Sequence, residues 1–278
     1  MPRELPASAL YSTPSLGRLW HRVHLACSPF CHRPSIRKLY LRPASTLRKI
    51  LNSPYSLIAL GCADGTKEAL LLKRLPKPSY LLAADTNRSL ARKAARRLPA
   101  QKKSACRLDL TTPIPSIIAG LPSPRLITLF GVVPNLDPLP LLRRISRIMY
   151  PGDYLLFSAN LAPARSGFAG ARKVLHQYDN EPTRSWLEAA VRRYRPHLPM
   201  GKLLFGVFPD SQQRSLARIE ARWMTKRQDW IVFASRRPTT AQVETWIRLA
   251  HLKKVARFLE PRGEEGVWLV DQIGRAHV

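Results

Sequence analysis

Apolar and polar positions along this chain follow two periods by turns. Leu57–Leu60 is a short unbroken apolar run that ends at a glycine, and the spacing from Thr66 to Leu75, stopped by Pro76, predicts a helix. "SYLLAAD" (79–85) is a second apolar run, closed by an acid. In "NRSLARKAARRL" (87–98), Leu90, Ala91, Ala94, Ala95 and Leu98 share one helical face and the basic residues take the other. "CRLDL" (106–110) and "RLITLFG" (125–131) predict a third and a fourth strand. Leu141, Leu142, Ile145, Ile148 and Met149 form a helical stripe, "YPGD" turns the chain, and "YLLFSANL" (154–161) predicts a fifth strand. Strands and helices alternating over short links predict an α/β fold, a parallel sheet covered by helices on both faces.

The alternation lapses at Ala162. Residues 162–201 read as Arg-rich helices, and "KLLFGVFP", "LARIEARWM" and "DWIVFAS" read as strands. A helix ("AQVETWIRLAHL") and a hairpin ("KVARFLEP", "EGVWLV") close the pattern. The expected organisation is therefore one Rossmann-like domain of residues 57–161 and 228–271, with an inserted α+β lobe, 162–227, over the C-terminal ends of its strands. "DWIVFAS" is expected in the main sheet.

"LGCADGTK" (60–67) joins the first strand to the first helix. Gly61, Ala63 and Gly65 occupy the spacing of a ligand-cradling turn, where bare backbone and helix N–H groups can face a ligand. Such a turn is also an ordinary strand–helix link. Two acids at the following strand ends change its weight. Asp85 can accept two hydrogen bonds from a ribose diol, and Asp109, with Leu110 beside it, can meet an adenine. Either acid alone reads equally as a helix cap. Glycine turn, acid, acid at three successive strand ends is the arrangement that holds S-adenosylmethionine (SAM). A Rossmann-like class I SAM-methyltransferase sheet with an inserted substrate lobe is the expected fold class.

The 278 residues carry a formal charge of +28. That is either an Arg-rich solvated surface or the footprint of a polyanion such as RNA. No RNA-binding signature appears, so nucleic acid is not the favoured partner. No apolar run reaches the ~18 residues of a membrane span. Cys27 and Cys31 precede His32, but no second ligand pair follows at zinc spacing, so no metal is expected. Residues 1–56 contain one acid, Glu4, against nine Lys or Arg. They read as a transit peptide, an over-extended start or an ordered basic segment. A cytoplasmic protein is expected, or an organellar one if a transit peptide is present. The closing "QIGRAHV" (272–278) reads as translated adapter DNA and carries no fold argument.

With these motifs in place, the chain resembles the SAM-dependent histidine-specific methyltransferases of ergothioneine biosynthesis over roughly residues 56–270. The resemblance puts Gly61, Lys67, Asp85 and Asp109 at the cofactor. "LFGVVPNLDPLPLLRRISRIMYPGDYLLFSANL" (129–161) matches the family's next segment and implies that Asn135 binds substrate. Tyr178 of Tyr178-Asp179 matches a substrate tyrosine, "RIEA" (218–221) matches a family strand, and Tyr40 in "KLYLRP" matches the tyrosine of the N-terminal lobe. Ser235 keeps one member of the family's imidazole-binding pair, but Phe233 stands where the other, a glutamate, belongs. Ala59 stands where an acid usually precedes the first glycine.

Phe233 cannot accept a hydrogen bond from an imidazole, and an aromatic wall suits an apolar or flat side chain. The expected acceptor is an amino acid or related amine other than histidine, held by Asn135 and Tyr178. Each has a plainer reading: Asn135 as a helix cap, Tyr178 as packing, Lys67 as a solvated first-turn lysine and Phe233 as a core residue. If histidine is the acceptor after all, Glu220 of "RIEA" is the acid available to replace the missing ligand. An RNA methyltransferase and a degenerate, non-catalytic SAM-fold protein are the competing functions. Oligomeric state is not legible.

Overall fold

In the computed structural model, which describes residues 3–51, 54–115, 118, 120–163, 167–226 and 228–272, the basic N-terminal segment is ordered. It comprises a short strand, β1 (Arg3–Glu4), a 3₁₀ turn (Ala7–Leu10) and helices α1 (Pro14–Cys27), α2 (Pro29–His32), α3 (Pro34–Leu41) and α4 (Pro43–Ile50). Each helix opens on a proline, whose fixed φ and missing N–H suit a first helical position.

The main body follows as β2 (Ser56–Leu60), α5 (Thr66–Leu72), β3 (Tyr80–Asp85), α6 (Arg88–Arg97), β4 (Lys102–Arg107), β5 (Arg125–Leu129), α7 (Pro138–Ile148) and β6 (Tyr154–Asn160). The lobe adds α8 (Gly167–Lys173), α9 (Glu181–Tyr194), β7 (Lys202–Pro209), β8 (Ala217–Met224) and β9 (Asp229–Arg237). The chain ends with α10 (Thr240–Leu249), β10 (Leu252–Leu259) and β11 (Glu265–Gln272). Residues 273–278, most of the adapter-like stretch, lie outside the described residues.

Seven strands form one sheet in the order β10-β11-β6-β5-β2-β3-β4. Its strands run parallel except β11, which is antiparallel to both neighbours. This is a doubly wound sheet whose order reverses at β2, and the crevice beyond the strand ends at such a point is where ligands bind. Alternate residues of the central strands feed two cores. Leu57, Ala59, Leu81, Ala83 and Leu126 pack on one face with α3, α4, α5 and α6. Ile58, Leu60, Leu82, Ile127 and Leu129 pack on the other with α7 and α10. The N-terminal helices α3 and α4 are thus part of a covering layer, burying Ile36, Leu39, Tyr40 and Leu47.

Two strand expectations need correction. "DWIVFAS" does not join the main sheet. As part of β9 it lies in a second sheet, β1-β9-β8-β7, paired antiparallel with β8 and parallel with β1. An apolar run specifies a strand but not its partner; the pairing partner here is the neighbouring "LARIEARWM" strand, joined by a short turn. The lobe sheet therefore runs to Arg237, and the main body resumes at α10. The third strand of the main sheet is 102–107 rather than 106–110. It is the exposed edge strand, so its polar "KKSACR" carries no apolar signal, and Asp109 sits two residues beyond it in the loop. No helix among the described residues is long and apolar enough to cross a membrane.

Candidate functional site

The β2–α5 turn is built on left-handed backbone. Gly61 and Gly65 have φ of 57° and 75°, and Ala63 between them has φ of 47°. A side chain at Gly61 would also place its Cβ 2.5 Å from Val132 Cγ2. Ala63 holds a conformation that costs an L-residue about 1–2 kcal/mol, and such strain persists only where neighbours impose it. The neighbour is Asp85, whose Oδ2 accepts from Ala63 N at 2.9 Å. Its Oδ1 accepts from Asn87 N at 2.8 Å. One carboxylate at the tip of β3 thus ties the glycine turn to the start of α6. Burial pushes the Asp85 carboxyl up, against these two amide bonds.

The turn opens on a cavity of about 290 Å³. Gly61, Ala63, Lys67, Asp85, Asp109, Leu110, Asn135, Tyr178 and Phe233 all line it, brought from six segments of the chain. Gly65 does not. It occupies the N-cap of α5, and a Cβ there would press on Ala94 and Leu98, so its role is close packing of the turn on α6. Asp109 accepts from Thr111 N at 2.9 Å and Thr111 Oγ1 at 2.7 Å. Burial alone would raise its carboxyl, but Thr111 and Ser8 hold it below the usual range. Ser8 belongs to the N-terminal 3₁₀ turn, which with Tyr11, Trp20 and His24 closes this side of the cavity. His24 is stacked on Trp20, and burial, with Lys67 nearby, lowers its pKa to about 4. No local pattern signals this closure, because its residues are far from the sheet in the chain.

Lys67 is not a solvated first-turn lysine. Its Nζ lies 4.9 Å from the Tyr40 ring centre, 5.4 Å from that of Phe30, and 4.0 Å from Glu265 Oε1. Gly131, with φ of 75°, lets it pass: a Cβ there would stand 3.2 Å from Nζ. Tyr40, expected to touch substrate, is instead fully buried behind Lys67 and does not line the cavity. Its hydroxyl donates to Glu265, and Ser158 Oγ stands 3.1 Å from the same oxygen. Tyr40 therefore acts on the cavity through the residues it packs against that line it, Glu265, Lys67 and Phe130. Next to Lys67, Glu68 is 2% exposed and lines the cavity; burial pushes its carboxyl up to about 7, against its backbone amide, Lys67 and Thr128.

The other end of the cavity belongs to the lobe. Asn135 closes a 3₁₀ turn (Val133–Asn135) and its Nδ2 donates to Gly131 O at 3.3 Å. The N-cap of α7 is Asp137, so Asn135 is not the cap. On β9, Phe233, Ser235 and Arg237 follow the strand's period of two and share one face. Phe233 is both a lobe-core residue and a cavity wall, 5.7 Å from the Tyr178 ring and 6.0 Å from Trp186. Ser235 does not line the cavity; its Oγ stands 3.2 Å from Tyr178 Oη. Tyr178 also accepts from Arg237, which is 3% exposed and lines the cavity. Arg237 was missed by sequence reading, although it lies two residues beyond Ser235 on the same strand face. Glu220 is paired across from Ala234 and so faces away from Phe233. Its carboxylate is taken by Arg218 and Arg222, at 2.7 and 2.8 Å, and cannot replace the missing imidazole ligand.

No family model matches the chain, and no curated protein matches it in sequence. Solved structures do match its fold. The dimethyltransferase RosA from Streptomyces davawensis, which acts on 8-amino-8-demethyl-D-riboflavin, aligns at 14% identity and a TM-score of 0.51, over 96% of this chain and 62% of its own. The CMeT domain structure of the citrinin polyketide synthase aligns at 15% identity and a TM-score of 0.51, over 95% and 58%. A SAM-dependent methyltransferase from Leishmania major aligns at 9% identity and a TM-score of 0.50, over 91% and 81%. The chain has the Rossmann-like fold of class I SAM-dependent methyltransferases.

Proposed function

We propose that this chain is a SAM-dependent methyltransferase acting on an amino acid or related amine other than histidine. The observation that carries the cofactor assignment is the left-handed turn at Gly61–Gly65 locked by Asp85 at the edge of the cavity. The residues fit the group: a bare-backbone cradle, a carboxylate for a ribose diol, and Asp109 with Leu110 for the adenine end. SAM supplies an electrophilic sulfonium methyl there. The chain's part is to hold an unprotonated nitrogen close and in line while excluding water, a contribution of position rather than of a strong acid or base.

Asn135 and Tyr178 are the residues assigned to that positioning. Arg237 adds a preference for a carboxylate on the acceptor: it is buried, donates to Tyr178 and to Leu161 O at 3.3 Å, and is felt by Glu264 on the same cavity, but makes no ion pair with an acid among the described residues. A buried cation held by neutral acceptors and without an ion pair gains from an arriving anion. Phe233 and Trp186 offer rings for a flat or apolar side chain. The resemblance to histidine-specific enzymes rests on the motifs alone, and Phe233 argues against imidazole recognition.

The expected result with purified protein and labelled SAM is transfer to aromatic or aliphatic amino acids, in competition with histidine, read by mass spectrometry. Efficient trimethylation of histidine would refute the acceptor assignment; absence of SAM binding would identify a non-catalytic relative of the fold. A second reading, RNA as acceptor, is favoured by one feature. Residues 86–108 contain eight Lys or Arg and no acid, and all eight are exposed on α6, β4 and their flanks. An RNA mobility shift abolished between about 50 and 200 mM salt would favour it.

A further inference from the structure

Ala59 lies where the resemblance places an acid, and it is wholly buried in β2. Its register partner on β5 is Thr128. Aligned residues of parallel neighbours project to the same face of a sheet, here the face covered by α5. Thr128 Oγ1 donates to Glu68 Oε1 at 3.3 Å. The first turn of α5 therefore delivers a carboxylate over the position that a longer acidic side chain at residue 59 would reach. Glu68 is 2% exposed, lines the cavity, and makes no ion pair among the described residues. Its neighbour Lys67 has turned away to Glu265 and the Phe30 and Tyr40 rings. The Glu68 carboxylate has one side-chain donor, its own backbone amide and only the more distant charge of Lys67, so no ion pair completes it, and a cavity wall is where a cationic partner can arrive.

We propose that Glu68 binds the ammonium of the methionyl end of SAM, serving from helix α5 in place of the acid absent at Ala59. This rests on the reading that the cavity holds SAM, and it adds a recognition residue that neither the glycine turn nor the ribose acid implies. Lys67, one residue earlier, lines the same cavity and is assigned to the carboxylate of that end, so two adjacent residues of one helical turn would meet opposite charges of one zwitterion.

The test compares two nucleosides on the full chain by calorimetry. S-adenosylhomocysteine keeps the ammonium and carboxylate; 5′-methylthioadenosine keeps the adenosine and lacks both. Glu68→Gln is near-isosteric and is expected to weaken S-adenosylhomocysteine by about 10- to 100-fold, the loss of one buried charge-assisted contact, and to leave methylthioadenosine within about twofold. Ala59→Asp added to Glu68→Gln is expected to restore part of the lost affinity, with thermal unfolding confirming that each variant is folded. Equal weakening of both nucleosides, or no weakening of either, overturns the assignment. Failure of the unaltered chain to bind either nucleoside overturns the SAM reading itself, and the Glu68 assignment with it.

Discussion

Replacing Asp153 by alanine is expected to lower the unfolding free energy by about 3–5 kcal/mol, the cost of removing one member of a buried ion pair. Asp153 is the acid of the "YPGD" turn, and the pairs it makes explain the size. Arg125 and Asp153 are both wholly buried. The Asp153 carboxylate accepts from Arg125 N at 2.9 Å, Arg125 Nε at 2.8 Å, Arg125 Nη2, and Tyr150 N at 2.7 Å. The guanidinium also donates to Ile118 O at 3.2 Å and Ile148 O at 2.7 Å, and lies over the Tyr150 ring. The cluster ties the start of β5 to the turn before β6. Removing the acid leaves a cation in an apolar interior and two backbone amides without their acceptor. Urea unfolding with an unchanged m-value is the measurement. A loss below about 1 kcal/mol would mean that water reaches the guanidinium, since solvent-exposed pairs contribute only that much. Neither residue lines the cavity, so folded Asp153→Ala is expected to bind SAM as the unaltered chain does.

Asp85→Ala is expected to weaken SAM by about 10- to 100-fold, equivalent to about 1.5–3 kcal/mol for a partly buried, charge-assisted pair of hydrogen bonds. The carboxylate has two duties. It would accept from the ribose, and it already fixes Ala63 N and Asn87 N. Without it, Ala63 has no reason to keep a φ of 47°, so the cradle relaxes as well as losing a ligand contact. Asp109→Ala should do less, because Asp109 is more exposed and its bonds run to Thr111 and Ser8 rather than to the turn. Calorimetry on the three proteins gives the order directly. Unchanged affinity in Asp85→Ala would remove the basis for placing SAM in this cavity.

Much of this site is local and therefore legible. The glycine turn, Asp85 and Lys67 fall within 25 residues of one another, and the period of two in 57–60 and 80–85 sets which side chains face the crevice. The same period on β9 places Arg237 beside Ser235, a signal present in the sequence once β9 is known to be a strand. Tyr40 marks the limit. Its motif is a match in letters, yet its ring belongs to the layer of α3 on the sheet, and only packing shows that Phe30, Lys67 and Glu265 enclose it.

By itself the amino-acid sequence determined the alternating elements, the doubly wound class, the glycine turn and the acids at its edge, because these depend on short-range periodicity and on backbone angles that few residue types adopt. The tertiary structure alone decided that β9 pairs within the lobe, that residues 7–29 close the cavity, and that Glu68 stands over Ala59 and Thr128. Those are contacts between segments far apart in the chain, and their energy lies in burial and pairing that no single segment carries.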